Sequence, residues 1–350
     1  MTRLRAYRDR YPKHGQVAML CEGDLLGYES SILRRWSDRV FGTNPLIDIW
    51  PCGTAKSLFG VSDAIGRSRP LAVIEDRDFR TLEDATSDCS QNRRLREERS
   101  VRVLAWRCWR RNEIENYLLD DAVLLPVMRK WFSCPEADVI EVASQVVQSL
   151  SVFQAAQHAL YTARRLWTRS DPESRLRQGL RHRPVWDDVR KLPVLPDPRA
   201  VSSALTQNAA KWKKAFVDNG HLKEPFSGES LLQEFNRKYE EWRTVTYGSP
   251  VWRIDWSGKE VLQYLRFCMT ARYGWPDSAA GSRTSLSWEG WNKGRSTDEY
   301  RKCAEKDREI EFEMQKDFAD AFAHHIAGLR EGQVYEEWLE IERSLRESTL

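Results

Sequence analysis

Three short pieces of the chain carry side chains whose types and spacing can do chemistry. They are Cys21-Glu22-Gly23-Asp24, Ile74-Glu75-Asp76-Arg77-Asp78-Phe79 and Arg111-Asn112-Glu113-Ile114-Glu115-Asn116-Tyr117-Leu118. The first two end apolar runs, Val17 to Cys21 and Leu71 to Ile74, that read as buried strands. An open α/β sheet places its ligands where its strands end. Glu22, Asp76 and Asp78 are therefore expected at one crevice. Carboxylates gathered in that number repel one another unless a cation neutralises them. Hard oxygen ligands select Mg²⁺ or Mn²⁺ rather than zinc.

Each residue has its own reading. Gly23 after Glu22 permits a tight turn at the strand end. Asp76 and Asp78 stand at i and i+2, which on a strand turns both carboxylates to one face. Arg77 and Glu75 would then face the other way, as structural groups. Lys56, in Gly53-Thr54-Ala55-Lys56, opens a helix, where a lysine and the helix N-terminus together suit a phosphate or a developing negative charge. It is not a Walker loop, because the G-x-x-x-x-G-K-[ST] spacing is absent. Glu113 and Glu115 follow the fourth strand. Either one completing a metal shell competes with a plain helix-start role for acidic charge. The adjacent His324 and His325 point about 100° apart on a helix and read as structural.

The chain resembles the TOPRIM domains shared by topoisomerases, primases and OLD-type nucleases. The resemblance rests on Glu22-Gly23 after the first strand, Asp76-Arg77-Asp78 after a later one, and the Arg111 to Leu118 block. The third block is similar to TOPRIM nuclease effectors of the OLD and PARIS AriB-like type, anti-phage proteins that work with an ABC-type ATPase. It spans roughly residues 15 to 120. It implies a metal-dependent nuclease, with Glu22 and Lys56 in catalysis and Glu22, Asp76, Asp78 and Glu113 on the metal. Among the two later glutamates it favours Glu113. It implies RNA, transfer RNA included, or DNA as substrate, and toxicity held in check by the ATPase. TOPRIM domains often carry a second acid four residues after the first glutamate. Here that position is Leu26, so Asp24 or Glu29 takes the place or the ligand is lacking.

The elements that must position these groups follow from periodicity. Strands are expected at Gln16 to Cys21, Leu46 to Trp50, Leu71 to Ile74 and Val101 to Trp106, with helices at Tyr28 to Phe41 and after Thr54. Residues 79 to 100 are polar without a clear period and read as a long loop or a short helix. This alternation implies parallel β-α units. Beyond Asn112 the chain turns helical: Ala137 to Leu166, Ser202 to Val217, Gly228 to Arg243, Gly258 to Arg272 and Asp298 to Leu329. Pro184 to Pro198 reads as a linker and Gly274 to Gly294 as a surface loop. The expected fold is α/β, a TOPRIM-like parallel sheet flanked by helices over 1–125, with a mostly helical region over 126–350 for partner or nucleic-acid binding.

Composition narrows the function classes. At 350 residues the chain has ample length for a core, and no apolar stretch approaches the ~20 residues that span a bilayer. The start, Met1 to Arg5, lacks an apolar signal core, which points to the cytoplasm. The seven scattered cysteines include no C-x-x-C pair, against a zinc ribbon or a disulfide scaffold. That also counts against a primase, and the length counts against a topoisomerase. The net charge of +3 decides little; its distribution says more. Arg93 to Arg111 is arginine-rich with Trp106 and Trp109 among them, and a second cluster runs from Arg164 to Arg183. Arginine forks and tryptophan faces suit phosphates and bases, so Arg107, Arg110 and Arg111 are expected to bind nucleic acid; the alternative is that the arginines pair with Glu97, Glu98, Glu113 and Glu115 or dock on an acidic partner surface. The C-terminal Glu336, Glu337, Glu340 and Glu342 are the acidic counterpart. A homodimer is compatible with this reading. The competing class is a non-catalytic TOPRIM-like module that binds an ATPase or nucleic acid.

Overall fold

The computed structural model describes residues 17–23, 28–41, 47–53, 55–170, 197–218, 227–273 and 317–349. Four strands, β1 (Val17–Cys21), β2 (Ile47–Pro51), β3 (Leu71–Glu75) and β4 (Val103–Cys108), form one sheet in the order β2-β1-β3-β4. Every pairing is parallel. The two central strands, β1 and β3, are buried along their whole length. That explains their unbroken apolar sequences, since a parallel strand covered on both faces has no solvent side. The fold is α/β, a parallel sheet flanked by helices, followed by a helical region.

The connections are helices α1 (Tyr28–Phe41), α2 (Ala55–Ile65) and α3 (Leu82–Glu97). Helix α1 buries Ile32, Leu33 and Trp36, a spacing that fits one helix face. On the sheet, Leu20, Trp50, Leu58, Val73, Val103 and Trp106 belong to one core cluster. The first crossover runs from β1 to β2 on one side and the second returns to β3 on the other. The order therefore reverses between β1 and β3, and the carboxyl ends of such neighbouring strands are where open α/β sheets hold ligands.

Two expectations change here. The stretch expected as a loop or short helix is the 16-residue α3. Thr81 caps it by accepting Asp84 N–H at 3.1 Å, and Glu83 and Asp84 begin it while Arg94 and Arg96 end it. Its buried stripe is only Ala85, Cys89 and Arg96, too narrow to give a clear period. The fourth strand begins two residues late, because Val101 N–H bonds Arg96 O and Arg102 N–H bonds Gly66 O.

Past β4 come α4 (Glu115–Leu118) and α5 (Asp121–Phe132). The described residues divide into two units: 17–131 together with 317–349, and 132–273. The expected boundary at 125/126 falls inside α5, and the C-terminal stretch groups with the sheet rather than with the helical region. The second unit is built on α6 (Glu136–Ser170), α7 (Pro198–Asp218), α8 (Gly228–Trp242), α9 (Val251–Ile254) and α10 (Gly258–Tyr273). Trp242, Trp252, Trp256 and Phe235 are buried in it. The first unit also contains a helical stretch over 317–328 and α11 (Gln333–Thr349).

Helix α11 packs on β4, covering the edge of the sheet. Its Trp338 joins Trp36, Trp109 and Tyr117, with ring centroids 5.3–5.8 Å apart. Among the described residues no helix is long and apolar enough to cross a membrane. The expected linker at 184–198, apart from its last two residues, lies outside the described residues. So do the loop at 274–294, most of the Asp298 to Leu329 helix, and the 171–183 part of the second arginine cluster.

Candidate functional site

The ends of β1 and β3 bring the first two motifs together. In the sheet register Cys21 stands beside Ile74, so Glu22 and Asp76 leave neighbouring strands at nearly the same level. Glu22 Oε1 accepts the backbone N–H of Asp76 at 3.2 Å. Gly23 and Gly53, both at φ 88°, exchange two backbone hydrogen bonds of 2.9 and 2.8 Å, which joins the ends of β1 and β2. A side chain at Gly23 would meet Glu29 Oε2 at 3.1 Å as well as a strained backbone. Glu29 itself is buried at the start of α1. Of the two residues expected to replace the missing second acid, Glu29 stands at the site; Asp24 lies outside the described residues.

Asp76 is the centre of the arrangement. It is 8% exposed, and its Oδ1 is buried without a hydrogen-bond partner among the described residues. Burial pushes its carboxyl well above the usual range, and the charges of Glu22, Glu29, Glu113 and Asp78 push it further the same way. Five carboxylates thus share one electrostatic site, four of them the expected set and Glu29 the addition. The same acids raise the neighbouring thiols after burial has done so: Cys21 well above its ordinary value, and Cys52 to about 12.

The i, i+2 strand geometry expected for Asp76 and Asp78 does not occur. Strand β3 ends at Glu75, and Asp78 and Phe79 turn back with φ of 52° and 57°. The hydrogen bonding of this turn is specific. Asn112 O accepts Arg77 N–H at 2.9 Å and Asp78 N–H at 3.2 Å, and Asn112 Oδ1 accepts Phe79 N–H. From the opposite side Arg80 donates to Asp76 O at 2.5 Å and to Arg77 O at 2.7 Å. Glu75, expected to be structural, accepts from Arg80 at 3.2 Å, from Trp106 Nε1 at 3.1 Å and from the Cys89 thiol at 3.4 Å. Nothing in the spacing of the third motif revealed the part played by Asn112; a fully buried asparagine beside charged residues is the only sequence hint.

The third motif is organised by a second asparagine. Asn116 Oδ1 accepts Glu113 N–H at 2.9 Å, which fixes the backbone from which the half-buried Glu113 reaches the acidic site. Glu115 is buried and is not among the groups that shift Asp76. Tyr117 and Leu118 are core residues, as expected. Lys56 occupies the first turn of α2; its side chain lies outside the described residues.

The basic stretch departs most from expectation. Arg111 is buried, not a nucleic-acid contact. It donates to Asn116 O at 3.1 Å, lies 3.2 Å from Asp120 and 3.6 Å from Glu337, and covers the Tyr117 ring at 4.8 Å. Arg110 is exposed but pairs with Glu340 of α11. Arg93 pairs with Glu97, and Arg96 and Arg99 with Asp63. Trp106 and Trp109 are buried and offer no face to a base. Of the three expected contacts, Arg107 is exposed on β4. His325 Nε2 donates a hydrogen bond to Ala122 O at 2.8 Å, the structural role expected of that histidine pair.

Comparison of the chain with protein-family models, with curated proteins and with solved structures finds no match. Among the described residues no three His, Cys, Asp or Glu side chains are already placed to hold one ion. The donor set nonetheless fits a hard divalent cation: all oxygen, clustered at a switch point, with one buried carboxylate oxygen unsatisfied.

Proposed function

We propose that this chain is a Mg²⁺- or Mn²⁺-dependent nuclease of TOPRIM type, an endonuclease acting on RNA or DNA. The observation that carries the reading is Asp76: a buried carboxylate with an unsatisfied oxygen, hydrogen-bonded through its backbone to Glu22 and surrounded by Glu29, Asp78 and Glu113. A structural acid buried this deeply would be paired with a cation of the chain. Here its nearest electrostatic neighbours are four more acids.

In this reading Glu22, Asp76, Asp78 and Glu113 hold the ion and Glu29 completes the set. A bound divalent ion supplies an activated water and stabilises negative charge on phosphoryl oxygens. The chain's residues do the rest. Glu22, half-buried at the strand end, can take a proton from an attacking water while its other oxygen stays on the Asp76 amide. Burial and the neighbouring acids raise the Asp76 carboxyl, and a bound cation would act in the opposite direction. Lys56, in the first turn of α2, would supply positive charge toward a phosphate, and Arg107 would supply affinity from β4. The resemblance extends the proposal to a toxic anti-phage effector in the cytoplasm, restrained by an ABC-type ATPase and acting as a monomer or homodimer.

Purified protein incubated with transfer RNA, single-stranded RNA and plasmid DNA, in Mn²⁺, in Mg²⁺ and in EDTA, tests the reaction. Cleavage in the metal arms that Glu22→Gln removes supports it; intact substrates throughout contradict it. A second reading, a non-catalytic module that docks on an ATPase, draws on the internal pairing of most of the arginine stretch. Co-purification with an ATPase partner, without cleavage of any substrate, would favour it.

A further inference from the structure

We infer that Asn112 is the positioning residue that presents the Asp76–Asp78 turn to its cation. The inference rests on the cation reading above and adds a residue to it. Two consecutive non-glycine residues, Asp78 and Phe79, sit in the left-handed region. Such a conformation costs free energy and persists only when the surroundings over-determine it. Asn112 does so, its carbonyl taking the N–H groups of Arg77 and Asp78 and its side-chain oxygen that of Phe79. It is fully buried, so water has no access to replace it.

The clamp is two-sided. Arg80 holds the carbonyls of Asp76 and Arg77 while Asn112 holds the three amides that follow. With both in place the backbone from 76 to 79 has little freedom, and Asp78 leaves the line of the strand at φ 52°. Asn112 also ties the turn to the backbone of Glu113, the next residue. Two of the three bonds come from the Asn112 backbone carbonyl, and its side chain adds the one that holds Phe79. Outer partners of this kind fix ligand orientation without touching the metal.

The test compares wild type with Asn112→Leu, which keeps the volume and the backbone carbonyl but removes the side-chain oxygen that takes the Phe79 amide, and Asn112→Asp, which keeps an acceptor oxygen there. Mn²⁺ affinity is read from the free-ion electron paramagnetic resonance signal, with circular dichroism and melting in EDTA alongside. N112L should bind Mn²⁺ about 10- to 100-fold more weakly than wild type, while N112D stays near wild type. Adding Phe79→Gly to N112L should recover affinity, because glycine accepts φ 57° without a clamp. A variant that lost affinity merely through a packing defect would not recover. If N112L does not fold, Asn112→Ala with and without Phe79→Gly is read the same way. Wild-type affinity in N112L, or equal losses in N112L and N112D, overturns the clamp alone. No Mn²⁺ binding by wild type overturns the cation reading with it.

Discussion

The side chain of Glu22 accepts the backbone N–H of Asp76 at 3.2 Å, linking the ends of two neighbouring parallel strands. Glu22 thereby ties the end of β1 to the end of β3. Glu22→Gln keeps an acceptor for that amide and removes the charge. Its melting temperature in EDTA should match or exceed that of wild type. Its metal-dependent cleavage should fall by about 10²- to 10⁴-fold, the span of a lost acid-base group. Cleavage at the wild-type rate would remove Glu22 from the site.

Asp76 gives the protein a pH dependence with a definite sign. Its folded pKa is raised above the ordinary 3.8 by burial and then by Glu22 and the other acids. A group raised on folding stabilises the protein below its unfolded pKa and loses that contribution as pH rises through the folded pKa. In EDTA, stability should therefore decline from about pH 4 upward through the folded pKa of Asp76, and Asp76→Asn should flatten the decline. At neutral pH the variant should melt higher than wild type in EDTA and lower than wild type in Mn²⁺. Parallel melts from pH 4 to 8 with and without metal check both halves.

Arg111 and Arg107 should behave as opposites. Arg111 is buried between Asp120, Glu337 and the Tyr117 ring, so Arg111→Ala should destabilise the sheet unit by about 3–5 kcal/mol, as for a broken buried pair. Arg107 is exposed, and Arg107→Ala should leave stability within about 0.5 kcal/mol. It should reduce the salt slope of nucleic-acid binding by about one ion, as loss of one phosphate contact does. Denaturant melts and a salt series of binding curves separate the two.

The helical unit contains its own titrating pair. Burial alone would raise Glu234, but hydrogen bonds from His158 and Arg237 hold it down at about 2. A depressed carboxyl contributes stability above its ordinary pKa of 4.5 and loses it as pH falls through the folded value. Acid melts between about pH 4.5 and 2 should therefore show a loss that Glu234→Gln lacks. A variant that follows wild type through that window would contradict the pairing.

How much of this could be read in advance follows from range. Tyr28 to Phe41 and the two buried strands are set by local periodicity, and the structure has them where the residues indicate. Glu22 and Asp76 meet because parallel strands end together, a topological consequence of the β-α alternation. Asp78 was misplaced on a strand because its turn depends on Asn112, 34 positions away along the chain. Arg111 and Trp109 were misread as surface groups because what buries them, Glu337 and Trp338, comes from the far end of the sequence. The helix Leu82–Glu97 hid behind its own polarity, held by a cap and end charges more than by an apolar face.

The central claim is that these carboxylates hold a divalent ion. Titration of Mn²⁺ into wild type and into the Glu22→Gln/Asp76→Asn double variant, followed by the free-ion resonance signal, tests it most directly. The account predicts saturable binding by wild type and affinity weaker by about 100-fold or more in the double variant, with two ligand charges removed. Binding that survives unchanged in the double variant, or no binding by the wild-type protein, would contradict it.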